Sequence, residues 1–389
     1  MTYISLFSGI GGLESASEPP SACCEMDEAC RKVLARRFPA AHLHDDVTTF
    51  KPPSADVVVG GWPCQDLSVA GAGAGLRGER SSLFYELVRV ARESGASSIV
   101  AENVPNLLRM DNGSVFEQIL LALAESGFPH VAWRTLDARA FGLPHHRNRV
   151  FIVASKDRDL SLQIHRPLPS PSARTESTSF AAGFYTTAGL QSICYSEGFS
   201  PTLKVGSGLS IPSPPGFFFD GTVRKALPGE CLALQGFDSD ELALPGIRPA
   251  DKYRMAGNAV AVPVGRFAVD SVVRPGNFNE PFLMGHSRVA PDGIYNGKTM
   301  FGVSHQRRPL DSRLGEFIDR RDRGPLSERA ASGLVRRLHR SGKPCPPGLW
   351  DVLLELSGLA LDPPSESHAT GNAKRPSHPR PIVSTATLF

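Results

Sequence analysis

Short apolar runs alternate with stretches of helical spacing over the first 155 residues. The apolar runs predict buried β-strands at residues 3–7, 21–25, 56–60, 97–102, 130–136 and 150–154. The stretches between them predict a helix after a glycine-rich turn that follows the first strand, and further helices at 28–38, 82–94 and 115–126. This alternation predicts an α/β fold with a doubly wound, mostly parallel sheet.

The pattern changes after residue 155. Residues 156–222 are rich in Ser, Pro, Thr and Gly without a sustained period, which predicts a small irregular domain or long loops. Helical spacing returns at 229–237 and 260–273, and apolar residues at every fourth position beside arginines predict a basic amphipathic helix over 326–340, with a second helix at 350–359. We therefore expect a catalytic and cofactor-binding domain (1–155), a recognition region (156–222), a return to the catalytic domain (223–273), a C-terminal basic helical extension (274–361) and a disordered tail (362–389).

Composition narrows the class of protein. The 389 residues carry a formal net charge of +3, a weakly basic balance that does not by itself indicate nucleic acid. The seven cysteines show neither a disulfide framework nor the paired spacing of a zinc site. The chain starts without a basic, apolar leader and has no apolar stretch near the ~20 residues of a membrane span. We expect a reduced, cytoplasmic setting without membrane attachment.

Two predicted strands end next to reactive side chains. Cys64 lies in Gly-Trp-Pro-Cys-Gln-Asp-Leu-Ser (61–68), and Glu102 lies in Ala-Glu-Asn-Val (101–104). Ligands of open α/β sheets bind at the carboxyl ends of strands, where a thiolate of lowered pKa could act as a nucleophile. Taken singly, a free cysteine is more often a small buried apolar residue, and a glutamate more often a surface ion-pair partner.

A glycine-rich turn, Phe-Ser-Gly-Ile-Gly-Gly-Leu-Glu (7–14), follows the first strand. Glycines let the backbone turn tightly and approach a ligand, a feature that many nucleotide-binding folds share. Glu25 ends the second strand, where a carboxylate can accept hydrogen bonds from both ribose hydroxyls. Asp46, in the next loop, could accept from an adenine amino group, although alone it would be an ordinary loop acid.

The Pro-Cys and Glu-Asn-Val segments, in this order and with these turns, resemble the cytosine-C5 DNA methyltransferase family. The resemblance runs through the first 270 residues and implies a class I, Rossmann-like fold with S-adenosylmethionine as cofactor. Residues 257–264 resemble a distal family motif that completes the pocket. The cofactor-binding residues implied are Phe7, Gly9, Gly11, Gly12, Glu25, Met26, Asp46, Val47, Pro63, Leu83, Asn258 and Val260. The family often has Trp where Met26 stands.

The resemblance also implies the chemistry. Cys64 would add to carbon 6 of cytosine, so that carbon 5 can attack a methyl sulfonium, and Glu102 would protonate or hydrogen-bond ring nitrogen 3, with a pKa raised by burial. Residues 141–153 resemble a motif whose usual Gln-x-Arg-x-Arg core is His-x-Arg-x-Arg here. By carry-over, Arg149 would hold the base oxygen and anchor Glu102, and Arg147 would support the loop or contact the DNA backbone. His145 could still donate a hydrogen bond, or merely pack.

DNA contacts are expected from a second glycine-rich segment, at 65–78. Carbon 5 is inaccessible inside a duplex, so the cytosine must flip out, and a loop that closes over flipped DNA needs such freedom. A surface loop without function is the alternative. The family's target-recognition domain corresponds to residues 156–221, and residues 229–237 resemble the motif that packs it. Candidate DNA-binding residues are Gln65, Ser68, Arg77, Arg80 and Arg224, and Arg166, Arg174 and Lys204 could equally be solvated surface charges.

The sequence thus predicts a site-specific DNA cytosine-C5 methyltransferase acting on double-stranded DNA, without metal and as a monomer, either beside a restriction endonuclease or alone. Three alternatives stand. An RNA methyltransferase would carry a Cys-Phe-Thr segment that this sequence lacks. A non-catalytic DNA-binding homologue is disfavoured by the intact Cys64, Glu102 and Arg149. A Rossmann-type dehydrogenase is disfavoured by Pro-Cys-Gln.

Overall fold

The computed structural model describes residues 1–63, 82–169, 180–185, 195–204, 213–277, 281, 283–286, 289–305, 313–320, 324–341, 345 and 348–363. In chain order the strands are β1 (Tyr3–Leu6), β2 (Ala22–Cys24), β3 (His42–His44), β4 (Val57–Gly60), β5 (Ser98–Asn103), β6 (His130–Asp137), β7 (Asn148–Ser155), β8 (Ala181–Tyr185), β9 (Tyr195–Glu197), β10 (Pro215–Phe219), β11 (Thr222–Lys225), β12 (Leu283–His286), β13 (Gly293–Tyr295) and β14 (Met300–Val303).

The α-helices are α1 (Glu28–Arg37), α2 (Ser82–Glu93), α3 (Ser114–Glu125), α4 (Arg158–Leu162), α5 (Pro228–Ala233), α6 (Pro249–Asn258), α7 (Val262–Val273), α8 (Leu314–Phe317), α9 (Glu328–Ser341) and α10 (Leu349–Ser357). Short 3₁₀ helices lie at Pro105–Gly113, Ala138–Phe141 and Gln163–His165.

A ten-stranded sheet forms the centre, in the order β12-β14-β13-β6-β7-β5-β4-β1-β2-β3. Strands β1 to β5 pair in parallel, and β7 runs antiparallel to both of its neighbours. Because the parallel strands are buried on both faces, they are continuously apolar; Val57, Val58 and Val59 are fully buried. The predicted doubly wound α/β fold is confirmed.

Helices cover both faces of this sheet. Side chains of α2 and α3, such as Leu87 and Phe116, pack in the core on one face. Side chains of α7, such as Phe267 and Val272, pack in the core on the other face. Because β1, β2, β4 and β5 are parallel, their carboxyl ends meet at a single edge of the sheet. The helices lie on the faces and leave this edge open for a ligand.

Local differences from the sequence prediction fall in short or polar segments. Turns and bends occupy residues 9–18, where a helix was expected, so that prediction was wrong. Strand β3 and helix α6 were not predicted. Strand β3 has three residues, and none of them is fully buried, so it leaves little apolar signal. Helix α6 has only three buried residues in ten.

Four strands between residues 181 and 225 form a second, antiparallel sheet, in the order β11-β10-β8-β9. Its strands are short, which explains why the sequence shows no sustained period there. One face, with Phe217 and Phe219, packs in a core with α5 and α6. The opposite face, with Phe184 and Phe218, packs against α9 and α10.

The C-terminal segment joins both sheets. Helices α9 and α10 lie where the sequence predicted them, and strands β12 to β14 precede them and extend the central sheet beyond β6, through pairing of β13 with β6. The expectation for the tail falls outside the described residues from position 364 onward. Among the helices of the described residues, none has the length and apolarity needed to span a membrane.

Candidate active site and cofactor pocket

A cavity of about 700 Å³ opens at the carboxyl ends of the parallel strands. Its lining includes residues from both groups that the sequence singled out. The cofactor candidates in the lining are Phe7, Gly9, Gly12, Glu25, Met26, Asp46, Val47, Pro63, Leu83, Asn258 and Val260, and the catalytic candidates are Glu102, Arg147 and Arg149. The fold thus brings together segments that lie as far apart in the chain as Phe7 and Val260.

The glycine-rich turn is shaped by close backbone contacts. Phe7 and Gly9 have positive φ angles of 56° and 55°. A Cβ atom on Gly12 would lie 2.2 Å from the carbonyl oxygen of Val260, so only glycine fits there. Gly11 lies outside the cavity lining, and a Cβ there would come within 2.8 Å of the Phe38 ring. The turn and the distal segment therefore form one wall.

Glu25 is held in place by two backbone amides. Its Oε2 accepts from the N–H of Gly9 and its Oε1 from the N–H of Asp27, both at 2.8 Å. Each carboxylate oxygen has a second lone pair that a ligand hydroxyl could use. Met26 beside it is 84% exposed, an unusual state for a large apolar side chain on the wall of a cavity. This arrangement offers polar and apolar surface side by side.

Asp46 lies on the same side of the cavity. Its Oδ1 accepts from the hydroxyl of Thr48 at 2.7 Å and from the backbone N–H of Thr48 at 2.8 Å. These two hydrogen bonds lower the pKa of the Asp46 carboxyl, so it is an anionic acceptor at neutral pH. Arg89 of α2 donates to the carbonyl of Val47 at 2.7 Å and fixes the loop.

Glu102 forms an ion pair with Arg149, with 2.9 Å between Oε1 and Nε. The Glu102 side chain is 12% exposed, and burial raises the pKa of this carboxyl although Arg149 and Arg147 oppose the shift. A Cβ on Gly61 would lie 2.8 Å from Glu102 Oε2. The carboxyl therefore lies against the turn that leads, three residues later, to Cys64.

Asn103, at the end of β5, contacts the turn that follows β4, a role that the sequence did not predict. Its side-chain amide donates to the carbonyl of Trp62 at 3.2 Å, and its Oδ1 accepts from the N–H of Val104 at 2.8 Å. The signal was present in the Glu-Asn-Val segment, but only the fold shows that Asn103 reaches the neighbouring turn.

Arg147 supports the distal wall of the cavity. It is 2% exposed, and its Nη2 donates to the carbonyls of Gly257 at 3.0 Å and Ala259 at 2.7 Å. Burial, together with the charge of Arg149, lowers the pKa of Arg147 well below its usual value. These two bonds are compatible with the expected supporting role, while a contact of Arg147 with the DNA backbone stays a prediction. Gln235 was missed as a partner in this support, and its amide also donates to Ala259, at 3.1 Å.

His145 links the segment before β7 to the segment that follows β9. The ring is fully buried, and its Nε2 accepts from the backbone N–H of Leu203 at 3.1 Å. Burial lowers the pKa of His145 well below its usual value, so the ring is neutral. His145 therefore accepts a hydrogen bond here, rather than donating one as the sequence predicted. Among the described residues there is no group of three His, Cys, Asp or Glu side chains that could hold a metal ion.

Arg224 does not lie on a surface that DNA could reach, contrary to the sequence-based expectation. It is 3% exposed and forms a bidentate ion pair with Glu230, at 2.9 and 2.6 Å. Its Nη2 also donates to the carbonyl of Asp319 at 2.6 Å. The other DNA-contact candidates, Gln65, Ser68, Arg77 and Arg80, lie outside the described residues, as does Cys64.

Comparison with known proteins identifies the family. Residues 1–194 match the model of the C-5 cytosine-specific DNA methylase family. The chain is 33% identical over 366 residues to the type II methyltransferase M2.BsuMI of Bacillus subtilis, covering 87% of this chain and 94% of that protein. It is 29% identical over 309 residues to the type II methyltransferase M.Bsp6I of a Bacillus species, covering 69% and 98%.

A solved structure supports the fold. The methyltransferase EhMeth of Entamoeba histolytica superposes with a TM-score of 0.51 at 15% identity, covering 70% of this chain and 97% of that one. With sequence relatives of this identity and coverage, and with the cavity at the strand ends, the chain belongs to the C-5 cytosine-specific DNA methylases.

Proposed function

We propose that the protein transfers a methyl group from S-adenosylmethionine to carbon 5 of a flipped-out cytosine in double-stranded DNA, through a covalent adduct with Cys64. The observation that carries this proposal is the continuity of the cavity. One space connects the Glu25 and Asp46 carboxylates with the Glu102–Arg149 pair. Cofactor and base would thus meet without a barrier between them.

The cofactor end of the cavity suits S-adenosylmethionine by its charge. This end is lined by the carboxylates of Glu25, Asp45 and Asp46. The ligand carries a sulfonium and an ammonium group against a single carboxylate, so an acidic wall favours it. Glu25 would accept from the ribose hydroxyls, Met26 would cover the adenine ring and Asp46 would accept from the adenine amino group. When bound, the cofactor supplies an electrophilic methyl group.

The catalytic end supports a nucleophile and an acid. The Cys64 thiolate would form a bond to carbon 6 of the cytosine, while protonated Glu102 donates a hydrogen bond or proton at nitrogen 3. Carbon 5 then takes up the methyl group, whose bond to the sulfonium sulfur breaks and leaves a neutral thioether. A base removes the proton from carbon 5 as the bond to the Cys64 sulfur breaks, and nitrogen 3 returns any proton to Glu102, which restores the ring. Arg149 would orient Glu102 and contact the base oxygen. The raised pKa of Glu102 suits this acid role.

The proposal is tested by bisulfite sequencing of DNA from cells that express the chain, compared with cells that express Cys64→Ser. We expect one short sequence motif to resist conversion with the wild type and no motif to resist with the variant. Calorimetry should show the same affinity of both proteins for S-adenosylmethionine. Near-normal methylation by Cys64→Ser would exclude Cys64 as the nucleophile.

The relatives are named type II methyltransferases, which supports a proposal about the biological setting. We propose that the protein works in the cytoplasm as a monomer and modifies the site that a cognate restriction endonuclease cuts. DNA from expressing cells should then resist a nuclease of the same site specificity. A dimer in light scattering would contradict the monomer.

A further inference from the structure

A short recognition segment, residues 199–204, is clamped onto the catalytic part beside the active site. The backbone N–H of Ser200 donates to the carbonyl of Pro144 at 2.7 Å, and the N–H of His146 donates to the carbonyl of Ser200 at 2.8 Å. The Thr202 hydroxyl donates to the carbonyl of His146 at 2.6 Å. With the bond from Leu203 to His145, these contacts fix the segment along its length.

This clamp brings Leu203 and Lys204 to the cavity that holds Glu102. The clamped partner, His145, lies four residues before Arg149, the arginine that pairs with Glu102. The position of Lys204 is therefore set by the same short piece of chain that positions the catalytic carboxyl. Lys204 itself is exposed, so it lies where the cavity opens to solvent.

Lys204 differs from the other cations of the cavity wall. Arg147 donates to backbone carbonyls, Arg149 pairs with Glu102, and Arg254 pairs with Asp27 at 2.8 Å. The ammonium of Lys204 lies 3.8 Å from the centre of the Tyr185 ring, and no carboxylate pairs with it in the part of the chain that the structure describes. It is a positive charge held in place and available to an anion.

We propose that Lys204 binds a phosphate next to the flipped cytosine. Extrusion of a nucleotide turns it about its own backbone, so the flanking phosphates come to the rim of the pocket as the base enters. A lysine ammonium is a compact point charge suited to a phosphate oxygen. The inference rests on the proposed function, because it requires the base to occupy this cavity. Lys204 would connect the recognition region to the chemistry as a positioning residue.

The test compares Lys204→Ala with Lys204→Arg and with a matched control, Lys156→Ala. Lys156 is also exposed and lies 5.6 Å from the centre of an aromatic ring, that of Phe128, but it follows β7 at the opposite edge of the sheet. For each variant we would measure kcat, the KM for DNA, the affinity for S-adenosylmethionine, and the dependence of DNA affinity on salt concentration.

We expect Lys204→Ala to raise the KM for DNA about tenfold, and to reduce the slope of log affinity against log salt by about 0.9, the change for one lost phosphate contact. Affinity for S-adenosylmethionine should not change. Lys204→Arg should retain most of the affinity, and Lys156→Ala should behave as the wild type.

A second pair of variants tests the clamp. His145→Ala removes the acceptor for the Leu203 N–H and should raise the KM for DNA in the same direction. His145→Gln, whose side-chain oxygen can accept that bond, should restore the KM.

A salt slope for Lys204→Ala equal to that of Lys156→Ala would overturn the inference. So would a loss of affinity for S-adenosylmethionine, which would assign Lys204 to the cofactor carboxylate instead. DNA binding is measured apart from methylation. The dependence of DNA affinity on salt therefore tests the phosphate contact of Lys204 even if the wild type transfers no methyl group. The latter result would refute the proposed function alone.

Discussion

Two arginine–glutamate pairs lie in different places in this molecule, and their carboxylates differ in how many hydrogen bonds the protein supplies. Where β11 leads into α5, Glu230 accepts two bonds from Arg224, one from the N–H of Leu227 and one from the N–H of Asp319. In the catalytic region, Glu102 has one close bond to Arg149, and it lines the cavity. A buried charge whose acceptors are all filled is structural, whereas one left partly open keeps capacity for a ligand.

Residue types alone therefore do not distinguish an ion pair whose carboxylate is filled by the protein from one that keeps capacity for a ligand. Both pairs lie next to motifs that the family resemblance marks. What separates them is how many of the carboxylate's hydrogen bonds the protein itself supplies. For Glu102, burial outweighs the neighbouring guanidinium groups and raises the pKa, which suits a group that must give up a proton.

The largest change in activity is expected from a substitution of Glu102. We expect Glu102→Gln to lower kcat about 10³-fold, because an amide cannot supply the proton at nitrogen 3. Single-turnover methyl transfer measures this, with thermal unfolding and cofactor affinity as controls for an intact fold. A kcat within threefold of the wild type would show that Glu102 is not the acid.

The structural pair should instead respond in stability. Arg224→Met leaves the Glu230 carboxylate buried and unpaired, and we expect the free energy of unfolding to fall by about 3–5 kcal/mol. Denaturant unfolding measures the loss. The double variant Arg224→Met/Glu230→Gln should recover part of it, and kcat of the folded fraction should stay close to that of the wild type. If Arg224→Met lowered the affinity for DNA without lowering stability, Arg224 would be a DNA-contact residue after all.

A third buried carboxyl, Glu14, extends the comparison: it accepts from the hydroxyl of Ser5, and among the described residues no arginine forms an ion pair with it. Burial raises the pKa of Glu14 to about 7. A carboxyl with a raised pKa favours the folded state while it is protonated, so stability should fall as pH rises from about 4.5 to about 7. The loss over this window should reach about 3 kcal/mol.

Unfolding measured between pH 5 and pH 8 checks this expectation. Glu14→Gln stays neutral and should lack this part of the pH dependence. A variant with the same pH profile as the wild type would show that Glu14 does not titrate in this range.

The smallest effect is expected from Arg149→Lys. Lysine keeps the charge beside Glu102 but loses the fork that also donates to the carbonyl of Asn148 at 2.7 Å. We expect kcat to fall about tenfold and stability to change little. Steady-state kinetics with saturating DNA and cofactor measures it, and a loss as large as that of Glu102→Gln would give Arg149 a direct part in the chemistry.

The amino-acid sequence was enough to predict six strands of the central sheet, β1, β2 and β4 to β7, and most of the candidate cofactor residues that line the cavity, whereas β3 and β12 to β14 were not predicted. Continuous apolar runs identify strands that are buried on both faces, and the rule that ligands meet the carboxyl ends of such strands brings Glu25 and Glu102 to one edge. The glycines at 9 and 12 were predicted because a tight turn and a close backbone approach leave few other residues possible.

The roles of the remaining residues could be assigned only from the three-dimensional structure, because each role depends on a partner that is distant in the chain. Whether Arg224 contacts DNA depends on its burial against Asp319, 95 residues away, and the use of His145 depends on Leu203, 58 residues away. Helices α9 and α10 were predicted, but the sheet face that they cover was not, since an apolar stripe does not specify its partner. Local periodicity indicates which residues are buried, but only the three-dimensional fold shows which residues they pack against.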